Sequence, residues 1–97
     1  MYVITVVFSV YRESMEEFSI LVNKQALDSL TKEIDCYTFD VSIGEGNGIT
    51  VPFFLYEVYS TKASFDAHLT TEHFSNFSNK TASMVAKKEV QAWNKLN

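Results

Sequence analysis

Apolar and polar positions alternate through the first eleven residues. Tyr2, Ile4, Val6, Phe8 and Val10 fall on one side of an extended chain, and Val3, Thr5, Val7, Ser9 and Tyr11 on the other. That period of two predicts a β-strand over 2–11. The period then changes. Ser14-Met15-Glu16-Glu17 has the form of a capping box, and Met15, Phe18, Val22, Ala26 and Leu30 follow at helical spacing as one apolar stripe. Ile20 and Leu27 make a weaker second line on the same helix.

CYTFDVSI (36–43) and VPFFLYEVY (51–59) read as two further strands joined by GEGNGIT (44–50). The glycine-rich segment has no lysine and leads into a strand, so a hairpin connection is expected rather than a phosphate loop. Pro52 suits an edge strand or a strand start. A short helix is predicted over 62–69, with Phe65 and Leu69 one turn apart. A second runs from Thr71 to about 85, with Phe74, Phe77, Thr81 and Met84 on one side. KEVQAWNKL (88–96) closes the pattern as a strand. The order describes a single domain over 1–97: an α+β, ferredoxin-like βαββαβ sandwich with a four-stranded antiparallel sheet.

Helices can cover only one face of such a sheet, yet both faces carry apolar side chains. Phe53, Leu55 and Tyr59 share one face of the third strand, and Phe54, Tyr56 and Val58 share the other. A second copy laid sheet against sheet would cover the surplus, so a homodimer is expected.

Composition narrows the functional classes. Net charge is −4, and the only basic run, Lys87-Lys88, is followed at once by Glu89. Nucleic acid is therefore not an expected partner. The apolar start is only ten residues long and lacks a basic leader, so no membrane span is expected, and a cytoplasmic location is. The single cysteine, Cys36, excludes an internal disulfide and has no basic neighbour, which suits a buried structural thiol in a reducing compartment.

Candidate chemistry lies in SFDAHLTTEHFSNF (64–77), which holds both histidines. His68 falls in the last turn of the short helix, where carbonyl ends favour a cation. His73 falls in the first turn of the next, where Thr71 is the expected N-cap and the dipole favours the neutral ring. The pair would thus be split into an acid and a base, with His68 titrating above the ordinary value and His73 below it, although burial beside Phe65 and Phe77 opposes the first shift. A metal site is not expected: the pair straddles a helix break and shows no third ligand nearby. Glu57, mid-strand among aromatics, suits a buried carboxylate with a partner or one that orients a histidine.

FFLYEVYSTKASFDAHLTTEHFSNF, through Phe53, Leu55, Glu57, Tyr59, Ala67-His68-Leu69, Thr71, His73 and Phe74, resembles the signature segment of the antibiotic biosynthesis monooxygenase (ABM) domain family. The resemblance implies a dimeric α/β-barrel with one pocket per subunit between sheet and helices. It also implies an oxygenase that uses no cofactor and no metal and acts on a quinol or other aromatic polyphenol with O₂. On that reading His68, His73 and Glu57 are catalytic, and Phe54, Phe74, Phe77 and Thr71 contact the substrate. The family's haem-degrading branch places its ligand histidine where this chain has Ser78, so haem is not expected. Val7 stands where many members have a polar residue, which implies a greasier pocket. The alternatives are an isomerase of a small phosphorylated signalling sugar, as in the autoinducer-2 branch, and a non-catalytic ligand-binding dimer. The isomerase would need cations, and near the histidines the sequence offers only Lys62 and Lys80.

Overall fold

The computed structural model describes residues 1–97. The elements are β1 (Tyr2–Tyr11), α1 (Met15–Lys32), β2 (Cys36–Ile43), β3 (Thr50–Tyr59), α2 (Lys62–His68), α3 (Glu72–Thr81) and β4 (Val85–Asn94), with short 3₁₀ turns at Arg12–Ser14 and Ala82–Met84. All strand pairs are antiparallel in the order β2-β3-β1-β4, and the helices lie on one face: the ferredoxin-like α+β fold. Pro52 therefore enters a central strand, at its third residue. In the hairpin loop a Cβ on Gly46 would collide with the Thr50 carbonyl oxygen, which explains the glycine there.

The helix-side face of β1 and β3 builds the core. Ile4, Val6, Phe8 and Val10 lie beside Phe53, Leu55 and Tyr59, all buried. Phe18 of α1 meets Phe8, Phe53 and Phe77 edge-to-face, with ring centroids 4.8 to 5.8 Å apart.

Several expected boundaries move. Ser14 makes no capping hydrogen bond, because it closes a 3₁₀ turn before α1 begins. The buried stripe of α1 is Phe18, Val22, Gln25, Ala26 and Ser29, and Leu30 is exposed. At 3.6 residues per turn Gln25 and Ser29 point within about 20° of Phe18, whereas Leu30 points about 120° away. Direction prevails over hydropathy there. The second helix of the pair stops at Thr81, whose hydroxyl donates to the Phe77 carbonyl at 2.8 Å. β4 begins at Val85, three residues earlier than expected, because it pairs with Val10 of β1 across a register shift.

The opposite face of the sheet has no helix over it. Phe54 and Trp93 lie there, 41% and 46% exposed, and the Trp93 indole N–H donates to Thr5 Oγ1 at 3.0 Å. Val7, between Phe54 and Glu89 in the ladder, also faces this side rather than the pocket, so it does not make the pocket greasier.

Candidate active site

The site is assembled at two chain reversals. Glu33 ends α1, its backbone N–H donating to the Ser29 carbonyl at 3.1 Å. The α2–α3 break is pinned by Thr71: its hydroxyl donates to the His68 carbonyl at 2.8 Å and accepts the Phe74 N–H at 3.2 Å. Thr71 is thus the N-cap of α3, as the sequence pattern predicts.

Glu33 bridges the two histidines. Its carboxyl oxygens lie 2.9 and 3.0 Å from His68 Nδ1, and one of them lies 2.5 Å from His73 Nε2. A carboxylate only accepts, so both nitrogens carry hydrogen. This fixes the tautomer of His68: its hydrogen bonds are made at Nδ1, and Nε2 is left as a lone-pair acceptor. His68 is buried and lines a cavity of about 530 Å³ between the sheet and α2–α3. It is boxed by the rings of Phe65, Phe74 and Tyr59. Loss of hydration holds the imidazole below its ordinary pKa, while Glu33 pulls the other way. The direction is opposite to the upward shift expected from the helix end, and loss of hydration is its largest cause.

Glu57 is the second titratable group in the wall. It faces the cavity from β3, accepts the Tyr59 phenol at 2.6 Å and is 3% exposed. Burial raises its carboxyl to about 7, against the phenol hydrogen bond and the pull of Lys88. Burial and Glu57 together push the Tyr59 phenol upward, so it stays a donor. Lys88 crosses the mouth from β4, its ammonium 5.4 Å from the Phe8 ring centre and 5.8 Å from that of Phe74.

Of the residues expected to form the site, His68, Glu57, Phe74 and Phe77 line the cavity. His73 and Thr71 do not; they act through Glu33 and through the His68 backbone. Phe54 does not wall this cavity, because its side chain alternates to the outer face of the sheet. Lys62 pairs with Asp66 at 3.1 Å on the surface and Lys80 does not line the cavity, whose lining cations are Lys87 and Lys88. Cys36 is buried with its thiol pushed up to about 12, chiefly by loss of hydration, which suits a structural role.

Sequence reasoning missed Glu33, Lys88 and Gln25, a buried cavity-lining side chain of α1 whose amide has no protein partner. Glu33 left one signal: a carboxylate at a helix C-terminus opposes the dipole and needs a compensating partner. Lys88 left none, since only the β1–β4 pairing sets it beside Phe8. Glu33 also overturns the argument that no third ligand-type group lies near the histidines.

A family model described as "Antibiotic biosynthesis monooxygenase" matches residues 1–80. The chain belongs to that family. Among solved structures, this ABM chain is similar to one described as a "Putative antibiotic biosynthesis monooxygenase" from Nitrosomonas europaea, at 26% identity, TM-score 0.90 and full coverage of both chains. Another, from Deinococcus radiodurans, shares 16% identity at TM-score 0.86, covering 100% of this chain and 94% of its own. A conserved protein from Methanosarcina mazei shares 20% identity at TM-score 0.86, covering 97% and 91%. At those last two identities the likeness is one of fold. No curated protein matches. No helix is long and apolar enough to cross a membrane.

Proposed function

We propose that this ABM chain is a cofactor-independent monooxygenase of a quinol or related aromatic polyphenol, with His68 as general base. The observation that carries the reading is the Glu33–His68 pair, which leaves Nε2 of a cavity-lining imidazole with its lone pair free of any protein hydrogen bond. Nε2 takes a phenolic proton and Glu33 stabilises the imidazolium that forms. Lys88 offsets the phenolate charge from the cavity mouth. The electron-rich phenolate passes one electron to O₂, and the radical pair combines to a ring-carbon peroxide that takes the proton back from His68 to become a hydroperoxide. Breaking its O–O bond with loss of the ring-carbon proton gives a carbonyl and water. One oxygen atom enters the product, and the substrate supplies every electron. Exclusion of water by Phe65, Phe74 and Phe77 protects the radical stage. His73 holds Glu33 in place, and Glu57, retaining its proton near neutral pH, offers a hydrogen bond to a substrate oxygen.

The chain acts as a homodimer through the outer face of the sheet, a reading supported by exposed Phe54 and Trp93 there. The phosphorylated-sugar isomerase is the weaker reading, since Lys88 lies over two aromatic rings, Lys87 and Lys62 pair with Glu89 and Asp66, and Lys80 does not line the cavity. A non-catalytic binder has no use for a carboxylate-held base with an open lone pair. Oxygen uptake over a quinol panel tests the proposal: uptake with wild type and its loss in His68→Ala is expected, and no uptake on any quinol overturns it.

A further inference from the structure

Two imidazoles and a carboxylate converge where α1 ends and α2 meets α3. One nitrogen of each ring and one Glu33 oxygen all lie within 4.8 Å of one another. The side chains of His68, His73 and Glu33 are 3%, 8% and 12% exposed. A second cleft of about 260 Å³, bordered by Glu33, Cys36, His68 and Thr71, gives the cluster its own opening, apart from the larger cavity. Hydrogen bonds hold the cluster as it stands, yet His-His-carboxylate is also the donor set of open zinc sites. Bonds of about 2.0–2.1 Å to a tetrahedral ion place ligand atoms roughly 3.3 Å apart. The N···O separations here are 2.5 to 3.0 Å. Lengthening those N···O edges by less than about 1 Å, with the N···N edge, no more than 4.8 Å, adjusting to match, would admit the ion.

We infer that Glu33, His68 and His73 form a divalent transition-metal site, fitted to zinc, whose occupation switches off His68 as a base. The ion takes the lone pair at Nδ1 of His68 and at Nε2 of His73, with one Glu33 oxygen and a solvent molecule from the smaller cleft completing four ligands. The hydrogens those nitrogens carried move to Nε2 of His68 and Nδ1 of His73, so both rings stay neutral and no imidazole proton is lost. His68 then presents an N–H to the large cavity where it had presented a lone pair. Zinc binding stands apart from the proposed oxygenase, and only the inhibition rests on it.

The test is competition for zinc between the chain and a chromophoric chelator. One zinc per chain is expected, with a Kd at or below about 50 µM, and Glu33→Gln and His73→Gln each weaken it about tenfold or more. Nitrogen shifts of the His68 ring should show its hydrogen moving from Nδ1 to Nε2. Circular dichroism confirms that each variant is folded, and the isosteric Glu33→Gln decides if the other is not. Weaker binding by wild type, or binding unchanged in the folded variants, overturns the site. Zinc bound at the cluster without loss of oxygen uptake overturns the switch. Zinc bound to a chain that oxidises no quinol leaves the site standing and removes the oxygenase instead.

Discussion

Glu33 sets both carboxyl oxygens within 3.0 Å of His68 Nδ1 across 35 residues of sequence. In the proposed mechanism that bond makes Nε2 the base. In Glu33→Gln the amide oxygen can still accept, but the charge that stabilises an imidazolium is gone. Turnover on the best quinol should fall about 10- to 100-fold with an unchanged circular dichroism spectrum. Full activity in this variant would remove Glu33 from the mechanism.

The two histidines should not be equivalent. His68 borders the cavity, and His73 stands outside it, hydrogen-bonded to Glu33. His68→Ala should lose about 10²-fold or more in kcat, the usual reach of a general base, and His73→Ala distinctly less. Steady-state oxygen uptake measures both. Equal losses would mean that the pair acts as one unit.

Glu57 makes stability depend on pH. Its carboxyl is raised from 4.5 to about 7 by burial. Between those values the folded chain keeps a proton that the unfolded chain has lost. Its contribution is therefore fully present below the unfolded value and disappears as pH rises to about 7, a change on the order of 3 kcal/mol. His68 works in the opposite sense: with its folded pKa lowered, its contribution is present above the unfolded value near 6.5 and is lost on acidification. That part is common to wild type and Glu57→Gln and cancels between them. Urea midpoints at several pH values should show wild type losing stability relative to Glu57→Gln from pH 4.5 to 7. Parallel profiles would place Glu57 in contact with water.

The outer sheet face should be an interface. Sedimentation at micromolar concentration is expected to give twice the chain mass. Phe54→Asp, which puts a charge on that face, should shift the chain toward monomer while leaving the helix-side core intact. A folded wild-type monomer would disprove the dimer.

The alternation in β1 and β3, the glycine-rich hairpin and the helix break at Thr70-Thr71 were legible in the sequence, because each is set by residues near in the chain. Local physics was enough for the strand faces and for the Thr71 cap. It failed where direction and hydropathy disagree, as at Gln25, Ser29 and Leu30, and where a boundary depends on a partner strand, as at Val85. The histidines stood out as candidates, but their chemistry did not follow from their helix positions. Only the tertiary structure brings Glu33 to His68 and carries Lys88 over Phe8 and Phe74. Those relationships join elements that follow one another neither in the chain nor in any periodic pattern. The water that burial removes from His68 and Glu57 then sets their charge more strongly than any neighbour in the sequence.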